Sequence, residues 1–392
     1  MLAKAMRGER TERLIEQART IGFDLCGVAR AEEFPELQKL PEWLARGYAG
    51  EMHYLQDDRR MHAEVVVPGA RSVIVCALNY NTAAPYSTAI AADSASAGAG
   101  SEANADSPRG WISRYAWGSD YHHVLGPKLK TLLAWMRAEF GEDFLAREYV
   151  DTGPVLERVA AKYAGLGWLA KNTCLINQRM GSWLFLGVIL TDLELTPSLA
   201  PAEAPPRDMC GTCSRCIDAC PTNAFVEPYV LDARRCIAYL TIELRGPIPQ
   251  EFRASMGSMV FGCDICQDVC PWNRRAPAAT IPEFQPRAVS PGSSETLLAP
   301  RLDWLLSLTE EEYRIALHGS PVKRAKFRGL IRNACIAAGN SHLTRKSPAF
   351  AGISARLEAL SKLEDAIIAE HARWALEQLR LRDSAPRSDG LS

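Results

Sequence analysis

Apolar and polar positions change period several times along this chain. Residues 8–21 put Leu14, Ile15 and Ala18 on one helical face, and Phe23–Val28 follows as a short apolar run read as a strand. Ser72–Leu78 is a β-branched stretch suited to a buried strand, and Trp183–Thr191 is a second one. Between them the pattern predicts a helix over roughly 124–139 and a strand ending at Glu148–Asp151. The turn residues Thr152-Gly153-Pro154 come next, then a helix over Val155–Tyr163. From Arg301 the spacing is helical: 301–317, about 321–338, and 354–380.

Three stretches interrupt this order. Thr82–Gly110 has an Ala/Ser-rich centre with almost nothing to bury and reads as a mobile, low-complexity loop insertion without function. Leu199–Pro206 and Pro277–Pro300 are proline-rich connections. They divide the chain into an α/β part (1–200), a cysteine-rich module (201–275) and a helical C-terminal part (276–392), whose last ten residues are polar and expected to fray.

The 392 residues are enough for two or three domains with a sizeable core. A net charge of −1 excludes a global positive field, so any nucleic-acid site must be a local patch. The N-terminus lacks an apolar signal region, Arg59-Arg60 lies too deep for an export signal, and the longest apolar run, Trp183–Leu190, is too short to span a membrane. The expectation is a cytoplasmic protein.

The densest chemistry lies between Met209 and Asn273. Cys210, Cys213, Cys216 and Cys220-Pro221 form C-x2-C-x2-C-x3-C-P, and Cys236, Cys263, Cys266 and Cys270-Pro271 follow. A tight C-x2-C-x2-C loop wraps three corners of one [4Fe–4S] cube, and the fourth ligand comes from elsewhere. Crossing the two runs assigns Cys210, Cys213, Cys216 and Cys270 to one cluster, and Cys220, Cys236, Cys263 and Cys266 to the other. Paired C-x2-C also suits zinc, which stays open on spacing alone. The remaining cysteines, 26, 76, 174 and 335, have apolar neighbours and read as small buried hydrophobes. Oxygen-sensitive clusters and lone thiols fit a reducing compartment.

Three other stretches hold reactive groups. Asp151 stands between an apolar strand and a Gly-Pro turn, as a turn former, a helix cap or a general acid. Asp120-Tyr-His122-His123-Val-Leu-Gly126 is one residue too long for the Asp-x-His-x-x-Gly cobalamin signature, which leaves an ordinary helix start or an axial His122 or His123. Lys323, Arg324, Lys326, Arg328 and Arg332 place five positive charges in ten residues, either a solvated helix face or a phosphate-contacting one.

Several motifs resemble those of the epoxyqueuosine reductases, the cobalamin-dependent iron–sulfur enzymes of tRNA queuosine biosynthesis. They are Arg114…Asp120-Tyr-His122, Val150-Asp151-Thr-Gly-Pro-Val-Leu-Glu157-Arg158, Gly167-Trp-Leu-Ala-Lys171-Asn172-Thr173, the two cysteine runs with Trp272-Asn273, and Arg332-Asn333…Gly339-Asn340. The resemblance spans about residues 10–345; the Thr82–Gly110 insertion and the tail depart from it.

It implies an α+β fold: a nitroreductase-like α/β cobalamin-binding domain, a ferredoxin-like two-cluster module and a HEAT-like helical C-terminus. It also implies reduction of epoxyqueuosine in tRNA, with Asp151 as proton donor once desolvated beside the cofactor. Arg60, Arg114, Arg158, Lys171, Asn172, Leu175, Asp264 and Ile265 would surround cobalamin, bound base-off, and Lys323, Arg324, Lys326 and Arg328 would meet tRNA. An external low-potential electron donor and a monomeric chain are part of the same implication. A cobalamin-dependent reductive dehalogenase would share the cofactors but usually carries an export signal. A plain electron-transfer protein would leave the Asp151 stretch and the basic helix unexplained.

Overall fold

The computed structural model describes residues 2–32, 34–89, 107–200 and 203–384. Its central sheet has four strands, β1 (Leu25–Arg30), β2 (Ser72–Asn79), β3 (Ala146–Tyr149) and β4 (Leu184–Thr191). They lie in the order β1–β2–β4–β3, and every neighbouring pair is antiparallel. Side chains alternate across this sheet as the two-residue strand period demands. Ile74, Cys76 and Leu78 face Leu14 and Ala18 of α1 (Leu2–Ile21) together with Leu125, Leu129 and Met136 of α2 (Tyr121–Phe140). Val73, Val75 and Ala77 face Val159, Ala160 and Ala161 of α3 (Glu157–Tyr163) on the opposite side.

Two expected boundaries move in this domain. The first strand begins at Leu25, two residues late, and α2 begins at Tyr121 because the Asp120 side chain accepts the His122 N–H and caps it. The insertion is also narrower than the composition suggested. Thr82, Ala84 and Pro85 accept hydrogen bonds from Arg114, and Ser87 donates to Asp268 in the cysteine-rich module. These flanks are therefore structural. The Ala/Ser-rich centre, residues 90–106, lies outside the described residues.

The three expected C-terminal helices are each interrupted, two of them by local capping. The first divides into α4 (Leu302–Ser307) and α5 (Glu310–Ala316), because Thr309 and Glu312 form a reciprocal capping box. The basic stretch starts as a 3₁₀ turn, Pro321–Ala325, and becomes α6 (Lys326–Asn340) after Lys326 takes a φ of +62°. The last divides into α7 (Phe350–Leu360) and α8 (Ala366–Ser384), where Asp365 accepts from the Ile367 and Ile368 N–H groups.

The cysteine-rich module and these helices share one core. Tyr239, Leu240 and Phe261 pack with Leu302, Leu330 and Ala334. Met259–Phe261 pairs in parallel with Trp111–Ile112, which ties the same module to the segment leading into Arg114. Buried Arg332 donates to the carbonyls of Leu240, Leu244 and Gly246, capping the C-terminal end of the module helix Ile237–Ile242. Asn333 donates to Thr241 and Val260. On the other side, fully buried Asn273 bonds Ser182 at the entrance to β4. No helix among the described residues is long and apolar enough to cross a membrane.

Candidate active site

β3 delivers the chain to Asp151, which has a φ of +58°. Aspartate visits this left-handed region more readily than most residues, at a cost of about 1–2 kcal/mol. Two hydrogen bonds hold it there. The Asp151 N–H donates to Glu157 Oε1 at 2.7 Å, and the Tyr121 hydroxyl donates to Asp151 Oδ2 at 2.7 Å. Gly153 completes the turn: a Cβ there would come within 2.3 Å of the Tyr149 ring.

Tyr121 is a rigid donor because its ring lies between two others. It stacks on Phe185 at 4.5 Å and on His122 at 4.3 Å. His122 is anchored in turn by a 2.7 Å contact from Nδ1 to Asp120, which holds the imidazole above its ordinary pKa, while its buried Nε2 has no hydrogen-bond partner. Burial, and then the nearby Asp151 charge, push the Glu157 carboxyl well above the usual carboxylate range. Asp151 itself is exposed, so the chain's own atoms do not supply the desolvation expected of a proton donor.

The expected cofactor contacts separate into two groups. The charges of Arg60 and Arg158 both act on Glu157; Arg60 lines a cavity with Pro154, Val155 and Leu156, and Arg158 donates to the Thr173 carbonyl at 2.6 Å. The others are engaged in structure. The Arg114 guanidinium is buried among the carbonyls of Thr82, Ala84 and Pro85 and the rings of Tyr86, Trp117 and Trp183. Buried Asp264 accepts from the Ser113 hydroxyl and the Arg114 N–H. Lys171 Nζ donates to the carbonyls of Gly211 and Cys213, and Asn172 donates to that of Cys266, so these neighbours bind one cysteine run each. Leu175 is buried beneath the sheet, and Ile265 opens a short helix between Asp264 and Cys266.

The thiols fall into two electrostatic sets. After burial, Cys216 is raised by Cys270 and Cys213, and Cys270 is raised by Cys174 and then by Cys210 and Cys213. Cys263 is raised by Cys236 and Cys220, and Cys266, after its hydrogen bond with Cys174, by Cys263 and Cys236. This donor set suits two four-thiolate clusters. Among the described residues, no three His, Cys, Asp or Glu side chains close on a single metal ion. Cys174, expected as a small buried hydrophobe, has Cys266, a cluster position, as its leading electrostatic neighbour, and that neighbour lowers its thiol. Cys26 and Cys76 instead face each other across β1 and β2 at 3.7 Å.

In the basic segment, Lys323, Arg324, Lys326 and Arg328 are all exposed. Arg324 makes a bidentate pair with Glu243 at 3.0 Å, and Arg328 pairs with Asp365 at 2.6 Å.

A mixed α/β domain that places an acid beside a two-set cysteine module defines an iron–sulfur oxidoreductase. Residues 209–273 match the family described as 4Fe-4S double cluster binding domain, and residues 60–152 match Epoxyqueuosine reductase QueG, DUF1730. An epoxyqueuosine reductase of Xanthomonas campestris is 37% identical over 96% of this chain and 98% of its own length. One from Gloeobacter violaceus is 44% identical over 83% of this chain and 94% of its own length. The chain belongs to the epoxyqueuosine reductase family. Among solved structures, an epoxyqueuosine reductase with an epoxyqueuosine-modified tRNA-Tyr stem loop superposes with a TM-score of 0.78 at 30% identity, covering 94% of this chain and 89% of that one. A Bacillus subtilis epoxyqueuosine reductase with its catalytic loop swung out of the active site superposes with a TM-score of 0.73 at 28% identity, covering 94% and 98%.

Sequence reasoning passed over Tyr121 and Glu157 as individual functional residues. Tyr121 and Glu157 lie inside motifs singled out above, but their partnership with Asp151 spans 30 and 6 residues and shows only in three dimensions.

Proposed function

We propose that this chain reduces epoxyqueuosine in tRNA to queuosine, consuming two electrons and two protons and releasing the epoxide oxygen as water. The observation that carries the reading is the Asp151 constellation: an exposed carboxyl held by Tyr121 and Glu157 at the edge of a double-cluster module, in a chain of this family. Cobalamin, when bound, supplies the low-potential chemistry that no side chain offers.

The chain's own residues do the rest. Asp151 presents a proton to the departing oxygen, and Tyr121 aims its carboxyl. Glu157, whose neutral form burial favours, holds the loop by accepting the Asp151 N–H. Cys210, Cys213, Cys216 and Cys270 would hold one [4Fe–4S] cluster, and Cys220, Cys236, Cys263 and Cys266 the other. Arg60 and Arg158 would meet amide or phosphate groups of a base-off cobalamin with the guanidinium nitrogens left over from their bonds to the Tyr54 and Thr173 carbonyls. Arg114, Lys171, Asn172, Leu175, Asp264 and Ile265 would shape its wall.

Lys323, Arg324, Lys326 and Arg328 would face the RNA on a HEAT-like C-terminal segment. The chain would act as a cytoplasmic monomer fed by an external low-potential donor. The loop displacement seen in the Bacillus subtilis enzyme suggests that the two hydrogen bonds on Asp151 select the inward state here.

The test is anaerobic conversion of epoxyqueuosine-containing tRNA by protein reconstituted with iron, sulfide and cobalamin under an artificial reductant. Formation of queuosine is expected. A fully loaded chain that leaves the epoxide intact sinks the reading.

A further inference from the structure

Tyr54 is 47% exposed, in the short 3₁₀ turn His53–Gln56. Its ring is framed by two guanidinium groups, with Arg60 Cζ 5.9 Å and Arg324 Cζ 5.6 Å from the centroid. Both arginines are held in place. Arg60 Nε donates to the Tyr54 carbonyl at 3.2 Å, and Arg324 is fixed by its bidentate bond to Glu243. Core packing does not explain an aromatic ring in this setting, and a solvated charged face does not explain a local arginine and one from the far end of the chain meeting at one ring.

Arg60, over this ring, lines one cavity with Pro154, Val155 and Leu156, the turn that follows Asp151. Arg324 is held above its ordinary value by its hydrogen bond to Glu243, with Tyr54 and Asp151 contributing further. His122 responds to Asp120 first, then to Asp151 and Arg324. The segments around Tyr54, Asp151 and Arg324 are thus electrostatic neighbours, and Arg60 joins the first of them to the Asp151 turn.

Single-stranded RNA bases are recognised by stacking on aromatic rings and arginine planes, and enzymes acting on a base take it out of its stack. The Arg324 guanidinium also suits a phosphate beside an extruded nucleotide. We propose that Tyr54, framed by Arg60 and Arg324, is the stacking platform for the modified base, holding it outside its own strand within reach of Asp151. This rests on the tRNA-reducing reading above. It also gives Arg324 a role separate from general contact with the RNA backbone.

The test uses cofactor-loaded protein and two fluorescent anticodon stem loops, one carrying epoxyqueuosine and one abasic at that position. Wild-type protein should bind the modified loop about 5- to 100-fold more tightly than the abasic one. Tyr54→Ala should abolish this preference while leaving affinity for the abasic loop and the visible corrin absorption unchanged, and Tyr54→Phe should keep it. Full preference in Tyr54→Ala overturns the platform alone, as does loss of corrin uptake with the RNA preference intact. A wild-type chain that does not bind the modified loop overturns the parent reading and the platform with it.

Discussion

Asp151 combines exposure, a left-handed backbone and two hydrogen bonds from different elements. Replacing it by Asn retains the size and turn propensity of the residue and removes only the acid. Turnover should fall by about 10²–10⁴-fold, with iron content and corrin absorption unchanged. Glu157 allows a finer distinction. Burial and the neighbouring carboxylate favour its neutral form, which Gln imitates while keeping an oxygen to accept the Asp151 N–H. Glu157→Gln should therefore stay within a few-fold of wild-type activity, whereas Glu157→Ala, which frees the loop, should lose most of it. Equal losses in both variants would show that the Glu157 charge is needed. Steady-state rates on modified tRNA, with each variant's cofactor content checked, would decide between them.

At the scale of elements, helix α8 carries a pH liability. His371 is buried; its Nε2 receives the Ile248 N–H at 3.1 Å, and its Nδ1 lies 2.7 Å from the Ile367 carbonyl. Only the neutral ring with its proton on Nδ1 satisfies both contacts. Burial pushes its pKa down to about 4. An unfolded histidine titrates near ~6.5, so the unfolded chain takes up the proton first as pH falls. The site's contribution to stability is present above about 6.5 and is lost as the pH falls towards about 4. By pH 5 the loss is about 2 kcal/mol. Anaerobic unfolding midpoints at pH 7 and pH 5 should show this difference, and it should shrink in His371→Gln. The same helices show how local chemistry overrides periodicity: Thr309 and Asp365 each start a new helix inside a run whose apolar spacing continues across the break.

At the scale of the molecule, the net charge of −1 makes RNA binding a matter of where the cations lie. Among the four exposed cations of the basic segment, Arg324 and Arg328 have carboxylate partners, Glu243 and Asp365. Neutralising Lys323 and Lys326 together should weaken tRNA binding without disturbing either pair. It should also reduce the slope of log affinity against log salt by about 0.7–0.9 for each phosphate that these lysines no longer neutralise. Titrations from about 50 to 200 mM salt measure this directly, and an unchanged slope would make these lysines an ordinary solvated face.

The sequence alone determined the parts governed by short-range pattern. The cysteine spacing, the strands beginning near Ser72 and Trp183, and the Asp151 turn could be read directly, because a strand's alternation and a ligand loop's spacing are local geometry. Tertiary structure alone decided what those parts touch. It spent Arg114, Lys171, Asn172 and Asp264 on joining the sheet domain to the cysteine module, and it gave Cys174 a cluster thiol as neighbour. It also brought together Tyr54, from the first sixth of the chain, and Arg324, from the last fifth. Hydrogen bonds and ring contacts depend on distance in space, and the chain distance between partners has no period from which they could be inferred.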